Sequence, residues 1–221
     1  MTIDADQTYD VVIIGGALSG GATAALLLRQ NPGIRILIVE KSAQLTRRVG
    51  EATVEVSAYF LGRVLGLTQY LNEHHLIKQG LRFYFANGDV KNLEDASELG
   101  GRYQARLPSY QLDRATFDEE VLRRACVAGA DLLRPASVID VQLLSGQDQT
   151  VVLKNGEGTK TVRARWVVDA SGVGAVLARK EGWWKSNTAH PTAAAWSRWK
   201  GVKDWDSLEL AQKFPKWASS V

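Results

Sequence analysis

The segment from residue 10 to residue 40, DVVIIGGALSGGATAALLLRQNPGIRILIVE, constrains the fold of this chain more than any other. Its first β-branched run, residues 11–14, ends in glycine, which is typical of a strand buried on both faces. Small and apolar residues from Ser19 onward predict a helix, which Asn31-Pro32-Gly33 ends because proline cannot continue it. A second β-branched run covers residues 34–39. The segment therefore predicts a βαβ unit with a glycine-rich turn.

The turn of this unit nearly matches the G-x-G-x-x-G fingerprint of dinucleotide-binding proteins. Gly15 allows the tight exit from the first strand, and Gly20 lets the helix pack close to the sheet. Ala17 stands where the fingerprint has its middle glycine, so a methyl group crowds a phosphate slightly without excluding it. The helix N-terminus directs unpaired N–H groups and the positive end of its dipole at a pyrophosphate.

Glu40 narrows the choice of nucleotide. It follows Gly20 by about 20 residues, the distance at which an acid at the end of the second strand accepts both hydrogen bonds of an adenosine ribose. A carboxylate there argues for a free 2′-hydroxyl, and hence for FAD or NAD over NADP. The alternative is a tight βα turn that binds no ligand, which the preceding strand, the following helix and the acid together disfavour.

Composition excludes several classes of protein. With 221 residues, 45% of them hydrophobic and 23% charged, the chain is long enough for a core and ordinary for a globular protein. The net charge is +3 and the basic residues are dispersed, so we expect no nucleic-acid partner. No apolar run reaches the roughly 18 residues that span a bilayer, and the acidic, polar start is no signal peptide. Cys126 is the only cysteine, which excludes an internal disulfide. We expect a reduced, cytoplasmic protein without a membrane partner.

The remaining sequence predicts a second set of helices and strands. Beyond Gly182 the composition shifts toward tryptophan, for which packing is the default interpretation. The further elements, in chain order, are helices at about 54–65 and 68–75, a strand at 81–85, a loop or weak hairpin at 90–105, a strand at 103–110, a helix at 115–128, a strand at 131–133, an antiparallel meander of 138–144, 150–153 and 161–164, a buried strand at 165–168, and a strand-like alternation at 193–200.

Four segments in this order resemble one superfamily. They are GGALSG, VGEAT, QLDRATFDEEVLRRACVAGADLL and RARWVVDASG. Together they resemble FAD-dependent monooxygenases and, within them, flavin-dependent halogenases of the tryptophan-halogenase type. Geranylgeranyl-reductase-like oxidoreductases share part of the pattern. The resemblance extends from Tyr9 to about Trp205, and it rests on the four segments together because the first is weak alone.

The resemblance implies FAD as the cofactor and assigns its contacts. The first turn would hold the pyrophosphate, the Gly-Glu-Ala-Thr segment would run beside the flavin, Arg114 would anchor the diphosphate, and Val138 would contact the adenine through backbone atoms. For Arg48 and Arg114 the alternative is a solvated surface charge. The predicted cofactor-binding residues are Gly15, Gly16, Ala17, Ser19, Gly20, Glu40, Lys41, Arg48, Gly50, Glu51, Ala52, Thr53, Arg114, Val138, Asp169 and Gly172. No metal site is predicted.

Lys78 is the predicted catalytic residue. It opens the stretch KQGLRF, and halogenases of this type place a lysine before a G-[hydrophobic]-R-F segment. The resemblance implies that Lys78 engages hypohalous acid, by hydrogen bond or as a chloramine, because an ammonium donates to the oxidant and an amine can carry halogen. The alternative is an exposed lysine at a helix end.

Several motifs of these halogenases lack a counterpart. Neither Trp183-Trp184 nor Trp196-Ser197-Arg198-Trp199 fits the family's W-x-W-x-I-P motif. The glutamate that partners the lysine and the third FAD motif lie later in the family. We therefore interpret the chain as truncated before the C-terminal half. It is then either inactive alone or joined by a complementary polypeptide.

The predicted fold is α/β: a Rossmann-like, FAD-binding parallel sheet with an antiparallel meander and part of a substrate-binding sheet. Residues 1–75 and 111–182 form the predicted FAD-binding domain, and 76–110 and 183–221 form a partial substrate domain. The predicted function is an oxidoreductase that uses reduced FAD and oxygen on an aromatic or electron-rich small molecule. A separate flavin reductase is expected, because no second dinucleotide fingerprint is present. The alternatives are a geranylgeranyl-reductase-like flavoprotein and a non-catalytic FAD-binding fragment.

Overall fold

The computed structural model describes residues 7–86, 88–91, 95–100, 107–203 and 207–215. The chain forms two compact units, Met1–Arg48 with Asp113–Thr192 and Val49–Leu112 with Ala193–Val221. Both units are discontinuous in sequence, because the chain leaves the first unit after Arg48 and returns to it at Asp113. The assignment of cofactor and substrate roles to separate domains stays a prediction.

The helices and strands are numbered in chain order. The helices are α1 (Leu18–Gln30), α2 (Glu55–Tyr59), α3 (Thr68–His74), α4 (Arg114–Val127), α5 (Val176–Lys180) and α6 (Leu208–Lys213). The strands are β1 (Thr8–Ile14), β2 (Ile36–Val39), β3 (Leu76–Lys78), β4 (Arg82–Phe85), β5 (Ser97–Gly100), β6 (Ser109–Gln111), β7 (Asp131–Leu133), β8 (Ser137–Gln142), β9 (Gln149–Asn155) and β10 (Gly158–Asp169).

The first unit is built on a six-stranded sheet in the order β7-β2-β1-β10-β9-β8. Strands β7, β2, β1 and β10 are mutually parallel, and β10, β9 and β8 form an antiparallel meander. This arrangement confirms the predicted α/β class. Because parallel strands end at one edge, the segments that follow β1, β2 and β10 meet there, where ligands of such sheets bind.

Apolar clusters cover both faces of this sheet, which is why its parallel strands are almost continuously hydrophobic. On one face, Ile13 and Ile38 pack with Leu28 of α1 and with Leu122 and Ala125 of α4. The opposite face carries a second cluster. Its members include Val12, Leu37, Val151, Leu153, Val162 and Leu177. The predicted strand–helix–strand unit is confirmed with both faces of its strands buried.

One prediction for this sheet was wrong. The strands expected at 161–164 and 165–168 are a single strand, β10, and Trp166 within it is 69% exposed. The β-branched pattern around Trp166 indicates a strand but does not encode which element covers each face of it.

The second unit contains short elements. The helix predicted at 54–65 is α2 followed by one π-helical turn, Phe60–Val64. Residues 76–78 form β3, which pairs with β6, and the strand predicted at 81–85 is β4. It pairs with β5, which lies within the segment predicted as a loop or weak hairpin at 90–105. Of the strand predicted at 103–110, residues 109 and 110 belong to β6, residues 107 and 108 are not in a strand, and the rest lie outside the described residues.

No strand forms at 193–200, so that prediction was wrong. Alternation of apolar and polar residues is not enough, because a strand also needs a neighbour with which to pair. Trp205 and Trp217 lie outside the described residues. None of the helices that the structure describes has both the length and the hydropathy to cross a bilayer. Within the same residues, no cluster of His, Cys, Asp and Glu is arranged to hold a metal ion.

Candidate functional site

The turn between β1 and α1 requires glycine at two positions. Gly15 has φ +103°, and a Cβ on it would lie 2.6 Å from the carbonyl oxygen of Ala170. A Cβ on Gly20 would lie 1.9 Å from the carbonyl oxygen of Gly15. Both contacts are to backbone atoms, which cannot move aside as a flexible side chain can. The turn, the start of α1 and the segment after β10 therefore meet in a backbone contact that only glycine allows.

The N-terminus of α1 is open to an anion. Ala17 precedes the helix with φ −70° and ψ −168°, an extended conformation that accepts a methyl group without strain. No side chain caps the helix, and its first turn contains no acidic residue. The first-turn N–H groups and the helix dipole thus favour a negative group at this end. This geometry fits the pyrophosphate of a dinucleotide, as the glycine pattern predicted.

Glu40 ties the end of β2 to this turn. Its carboxylate is 5% exposed and accepts hydrogen bonds from the N–H of Gly16 at 2.7 Å and from the N–H of Ser42 at 2.8 Å. A carboxylate has about four acceptor positions, so these two bonds leave capacity for ribose hydroxyls. The predicted ribose contact is compatible with this geometry and stays a prediction.

Asp169 holds the turn that follows β10. Its carboxylate accepts from the N–H and hydroxyl of Ser171, at 3.0 and 2.5 Å, and from the N–H of Leu177 at 2.8 Å. Partial burial acts to raise the pKa of Asp169, but these hydrogen bonds outweigh it and hold the pKa below its usual value. Gly172 follows with φ +62°. The carboxylate of Asp169 therefore holds the backbone of the second predicted cofactor motif in place.

Three other predicted residues of the first unit are placed less tightly. Ser19 and Lys41 are exposed, and the carbonyl of Ser19 accepts a hydrogen bond from the Thr23 hydroxyl. Val138 is half-buried on β8, beside a shift in the register with β9. Their predicted cofactor contacts stay predictions.

Arg114 and Arg48 share a carboxylate that sequence reasoning missed. Arg114 forms a two-pronged ion pair with Asp118, with Nε–Oδ1 2.7 Å and Nη2–Oδ2 2.9 Å. Nε of Arg48 lies 3.9 Å from Oδ2 of the same residue. The side chain of Asp118 is completely buried and that of Arg114 is 14% exposed, so Arg114 is not a solvated surface charge. The i, i+4 spacing in RATFD was the signal for this pair.

A second ion pair on α4 fixes the loop after Glu40. Glu119 accepts the N–H of Leu45 at 2.7 Å and pairs with Arg134 at 2.6 and 2.8 Å. Nε of Arg134 donates to the carbonyl of Ser42 at 2.7 Å. The hydrogen bond from Arg134 lowers the pKa of Glu119 against the opposing effect of burial. The adjacent acids Asp118 and Glu119 of α4 therefore both contact the loop after β2. Glu119 accepts the N–H of Leu45, and Asp118 lies 3.9 Å from Arg48 at the end of the loop.

In the second unit, the Gly-Glu-Ala-Thr segment lies along β6. The N–H of Leu112 donates to the carbonyl of Glu51 at 2.7 Å, and Ala52 bridges to Gln111. The Thr53 hydroxyl accepts the N–H of Tyr110 at 2.7 Å. These hydrogen bonds hold the Gly-Glu-Ala-Thr segment against β6, although the segment is not itself a strand.

Lys78 is brought to this segment. It ends β3, and its Nζ donates to the carbonyl oxygen of Thr53 at 2.6 Å. The side chain is half-buried. Lys78 is therefore neither at a helix end nor a solvated charge, and the structure joins two motifs that the sequence separates by 25 positions.

Glu51 has a partner that no local pattern indicates. Its buried carboxylate lies 2.6 Å from Nη2 of Arg198, 147 positions away. Arg198 lies in the WSRW stretch, which gave no functional signal of its own. A cofactor-binding role for Glu51 therefore stays a prediction, and its ion pair is the observed contact.

Comparison with known proteins decides the family. A family profile described as FAD dependent oxidoreductase matches residues 10–213. The chain belongs to this family. FAD is its cofactor, in agreement with the resemblance of the four sequence segments and with the fit of the glycine turn, the open helix terminus and Glu40.

Flavin-dependent halogenases recur among the similar proteins. Flavin-dependent halogenase chlA of Dictyostelium discoideum is 29% identical over 188 residues, which are 74% of this chain and 31% of the relative. Digeranylgeranylglycerophospholipid reductase 2 of Methanothermobacter thermautotrophicus is 29% identical over 177 residues, 79% of this chain and 42% of the relative. The solved myxobacterial chondrochloren halogenase CndH has a TM-score of 0.62 and 28% identity, covering 75% of this chain and 38% of the other. The chain thus spans less than half the length of these proteins.

Proposed function

We propose that this chain is the cofactor-binding part of a flavin-dependent halogenase-type oxidoreductase, which acts with reduced FAD and oxygen on an aromatic or otherwise electron-rich small molecule. The observation that carries the proposal is the contact of Lys78 with Thr53, at 2.6 Å. It joins the residue predicted to transfer halogen to the segment predicted to run beside the flavin.

The first unit supplies the groups that would hold FAD. The turn from Gly15 to Gly20 and the open N-terminus of α1 suit the diphosphate, and Glu40 suits the ribose. Arg114 and Arg48 add guanidinium groups, which match a diphosphate better than a lysine would. Among these groups only Glu40 discriminates FAD from NADP, because both nucleotides carry a diphosphate and only NADP carries a 2′-phosphate.

Lys78 has the chemistry for halogen transfer. Bound reduced FAD would give two electrons to oxygen, and the oxygen so activated would oxidise halide to hypohalous acid. An ammonium has three N–H donors, and the Thr53 carbonyl accounts for one of them. The others can donate to the oxygen of the oxidant, which makes its halogen more electrophilic toward an electron-rich ring. A hydrogen bond to a fixed carbonyl also holds the flexible side chain in place.

The partners of this chain follow from its length and its single nucleotide fingerprint. Its relatives are more than twice as long as the matched segment, so we propose a complementary C-terminal half that carries the remainder of the substrate site. A separate flavin reductase would deliver reduced FAD. A reductase acting on isoprenoid double bonds is the second candidate, because one relative of equal identity is named as such an enzyme. Lys78 would then have a structural role only.

Product analysis tests the proposal. The chain, completed by its proposed C-terminal half, is supplied with FAD, NADH, a general flavin reductase, bromide or chloride, and a panel of indoles, phenols and pyrroles. Products are identified by mass spectrometry. We expect halogenated product, and we expect Lys78→Ala to lower its rate at least about 100-fold while FAD affinity and oxygen consumption change little. Lys154→Ala, an exposed lysine on β9, should behave as the parent. Lys180 is a poor control because it pairs with Asp140 at 2.6 Å.

Two results would overturn the proposal. One is full halogenation by Lys78→Ala, which would remove the residue from the chemistry. The other is a FAD-loaded chain that gives no halogenated product with any halide but saturates isoprenoid double bonds, which would support the reductase.

A further inference from the structure

Asp118 lies on the face of α4 that is turned to the dinucleotide turn. Arg114, Asp118 and Leu122 are spaced four residues apart, so they share one face of the helix. Leu122 contacts that turn, since its Cδ atoms would lie 3.3 Å from a Cβ on Gly16. Asp118 is thus one helical turn from a residue that touches the predicted pyrophosphate site.

The burial of Asp118 needs a reason. Its side chain is completely buried, and burying an ionised carboxylate is costly unless it is paired and hydrogen-bonded. The fork of Arg114 provides two hydrogen bonds at 2.7 and 2.9 Å, and Arg48 approaches within 3.9 Å. One carboxylate thus fixes the guanidinium group of Arg114 on α4 by hydrogen bonds and attracts that of Arg48, whose Nε donates to the carbonyl of Thr46 at 3.4 Å.

The charges of this cluster suit an anion. Two guanidinium groups and one carboxylate sum to a formal charge of one positive unit. A diphosphate is the chemical class that guanidinium donors match best.

We propose that Asp118 is a positioning residue for the cofactor: it holds Arg114 and Arg48 in the orientation in which they bind the diphosphate of FAD. This inference rests on the proposed function. Asp118 itself does not touch the cofactor, because a second anion would be repelled by it. Its effect is to remove the cost of ordering two long side chains when the diphosphate binds.

A purely structural role makes a different prediction. An ion pair that only stabilises α4 would, when lost, weaken all ligands of the first unit alike. If Asp118 has a positioning role, its loss should weaken the binding of FAD and ADP, which carry a diphosphate, more than the binding of adenosine, which carries no phosphate. Its loss should also lower the salt dependence of binding, since salt screens the attraction between the guanidinium groups and the phosphates.

The test is calorimetric titration of FAD, ADP and adenosine into the full chain and its variants. We expect Asp118→Asn to weaken FAD and ADP at least about tenfold and adenosine less than about twofold, with a smaller salt dependence for ADP. Asp118→Glu should recover most of the loss. The matched control is Glu120→Gln on the same helix, which breaks ion pairs with Arg123 and Arg124 and should leave all three affinities unchanged.

A second pair of variants covers the case in which Asp118→Asn does not fold. Arg48→Gln/Arg114→Gln should bind ADP as weakly as the same variant with Asp118→Asn added, because Asp118 acts through these two arginines. A further loss on adding Asp118→Asn, or an equal loss for adenosine in Asp118→Asn, would overturn the inference. So would unchanged ADP affinity in Asp118→Asn. If the parent chain binds FAD while these variants behave as the parent, only the inference fails; if the parent binds neither FAD nor ADP, the cofactor site itself is refuted.

Discussion

The two units of the chain form their candidate sites in different ways. In the first unit, a six-stranded sheet with a core on each face fixes the backbone at the glycine turn. In the second, pairs of short strands leave Leu76 and Leu99 exposed, at 73% and 63%, and the predicted residues are held by contacts between distant segments. The comparison teaches that the glycine turn is set by backbone geometry, whereas Lys78 and the carboxylate of Glu51 are placed by side-chain contacts with residues distant in sequence. Substitutions should therefore act differently in the two units.

Gly20→Ala should have the largest effect. The new methyl group would lie 1.9 Å from the carbonyl oxygen of Gly15, and a backbone atom cannot yield without opening the turn. We expect the free energy of unfolding to fall by more than about 3 kcal/mol and FAD binding to be lost. The measurement is urea-induced unfolding, monitored by tryptophan fluorescence. Gly156→Ala, where nothing lies within 4 Å, is the matched control in the same unit. Equal tolerance of both changes would show that the turn is not fixed by its backbone.

A smaller effect is expected for the Glu51–Arg198 pair of the second unit. Its carboxylate is buried and lies 2.6 Å from the guanidinium. A double-mutant cycle with Glu51→Gln and Arg198→Met should give a coupling free energy of about 1–2 kcal/mol. The exposed pair of Lys203 and Glu209 is the control, and its coupling should be much smaller because solvent screens it. No difference between the cycles would mean that this long-range contact does not hold the segment at Glu51.

The smallest effect concerns pH and the loop after β2. The hydrogen bond from Arg134 lowers the folded-state pKa of Glu119, so the carboxylate stabilises the fold above its unfolded pKa and loses that contribution as pH falls through the folded value. The difference in unfolding free energy between parent and Glu119→Gln should be constant from about pH 6 to 8 and shrink below about pH 4.

Glu120→Gln is the comparison for this pH series. Arg123, with Arg124, lowers the pKa of Glu120 to about 2 against the effect of burial, so its contribution should persist to more acidic conditions. If Glu119→Gln lowers the free energy of unfolding as much as Gly20→Ala does, side-chain contacts matter in the first unit as much as in the second. The contrast between the units would then fail.

The sequence contained most of the first site because its determinants are local. Gly15, Gly20 and Glu40 lie within one strand–helix–strand unit, whose geometry follows from hydrophobic pattern and glycine position. Asp118 was also visible, as the i, i+4 partner of Arg114, but a resemblance that explains the arginine does not direct attention to its partner.

The second site was less predictable for a physical reason. The contact of Lys78 with Thr53 and the ion pair of Glu51 with Arg198 join positions 25 and 147 residues apart, and no periodicity links them. The absence of a strand at 193–200 shows the same limit, because pairing depends on a neighbour and not on alternation.

The most direct test of the account is a competitive titration of FAD and NADP into the full chain and into Glu40→Gln. The account predicts saturable binding of FAD by the parent, with NADP at least about tenfold weaker, because the carboxylate would repel a 2′-phosphate. The amide introduced by Glu40→Gln keeps one oxygen that can accept the Gly16 N–H but loses the bond from the Ser42 N–H. The turn should therefore persist while the preference for FAD narrows. NADP binding as tight as FAD in the parent, or an equal preference in parent and variant, would contradict the assignment of the glycine turn and Glu40 to the FAD site.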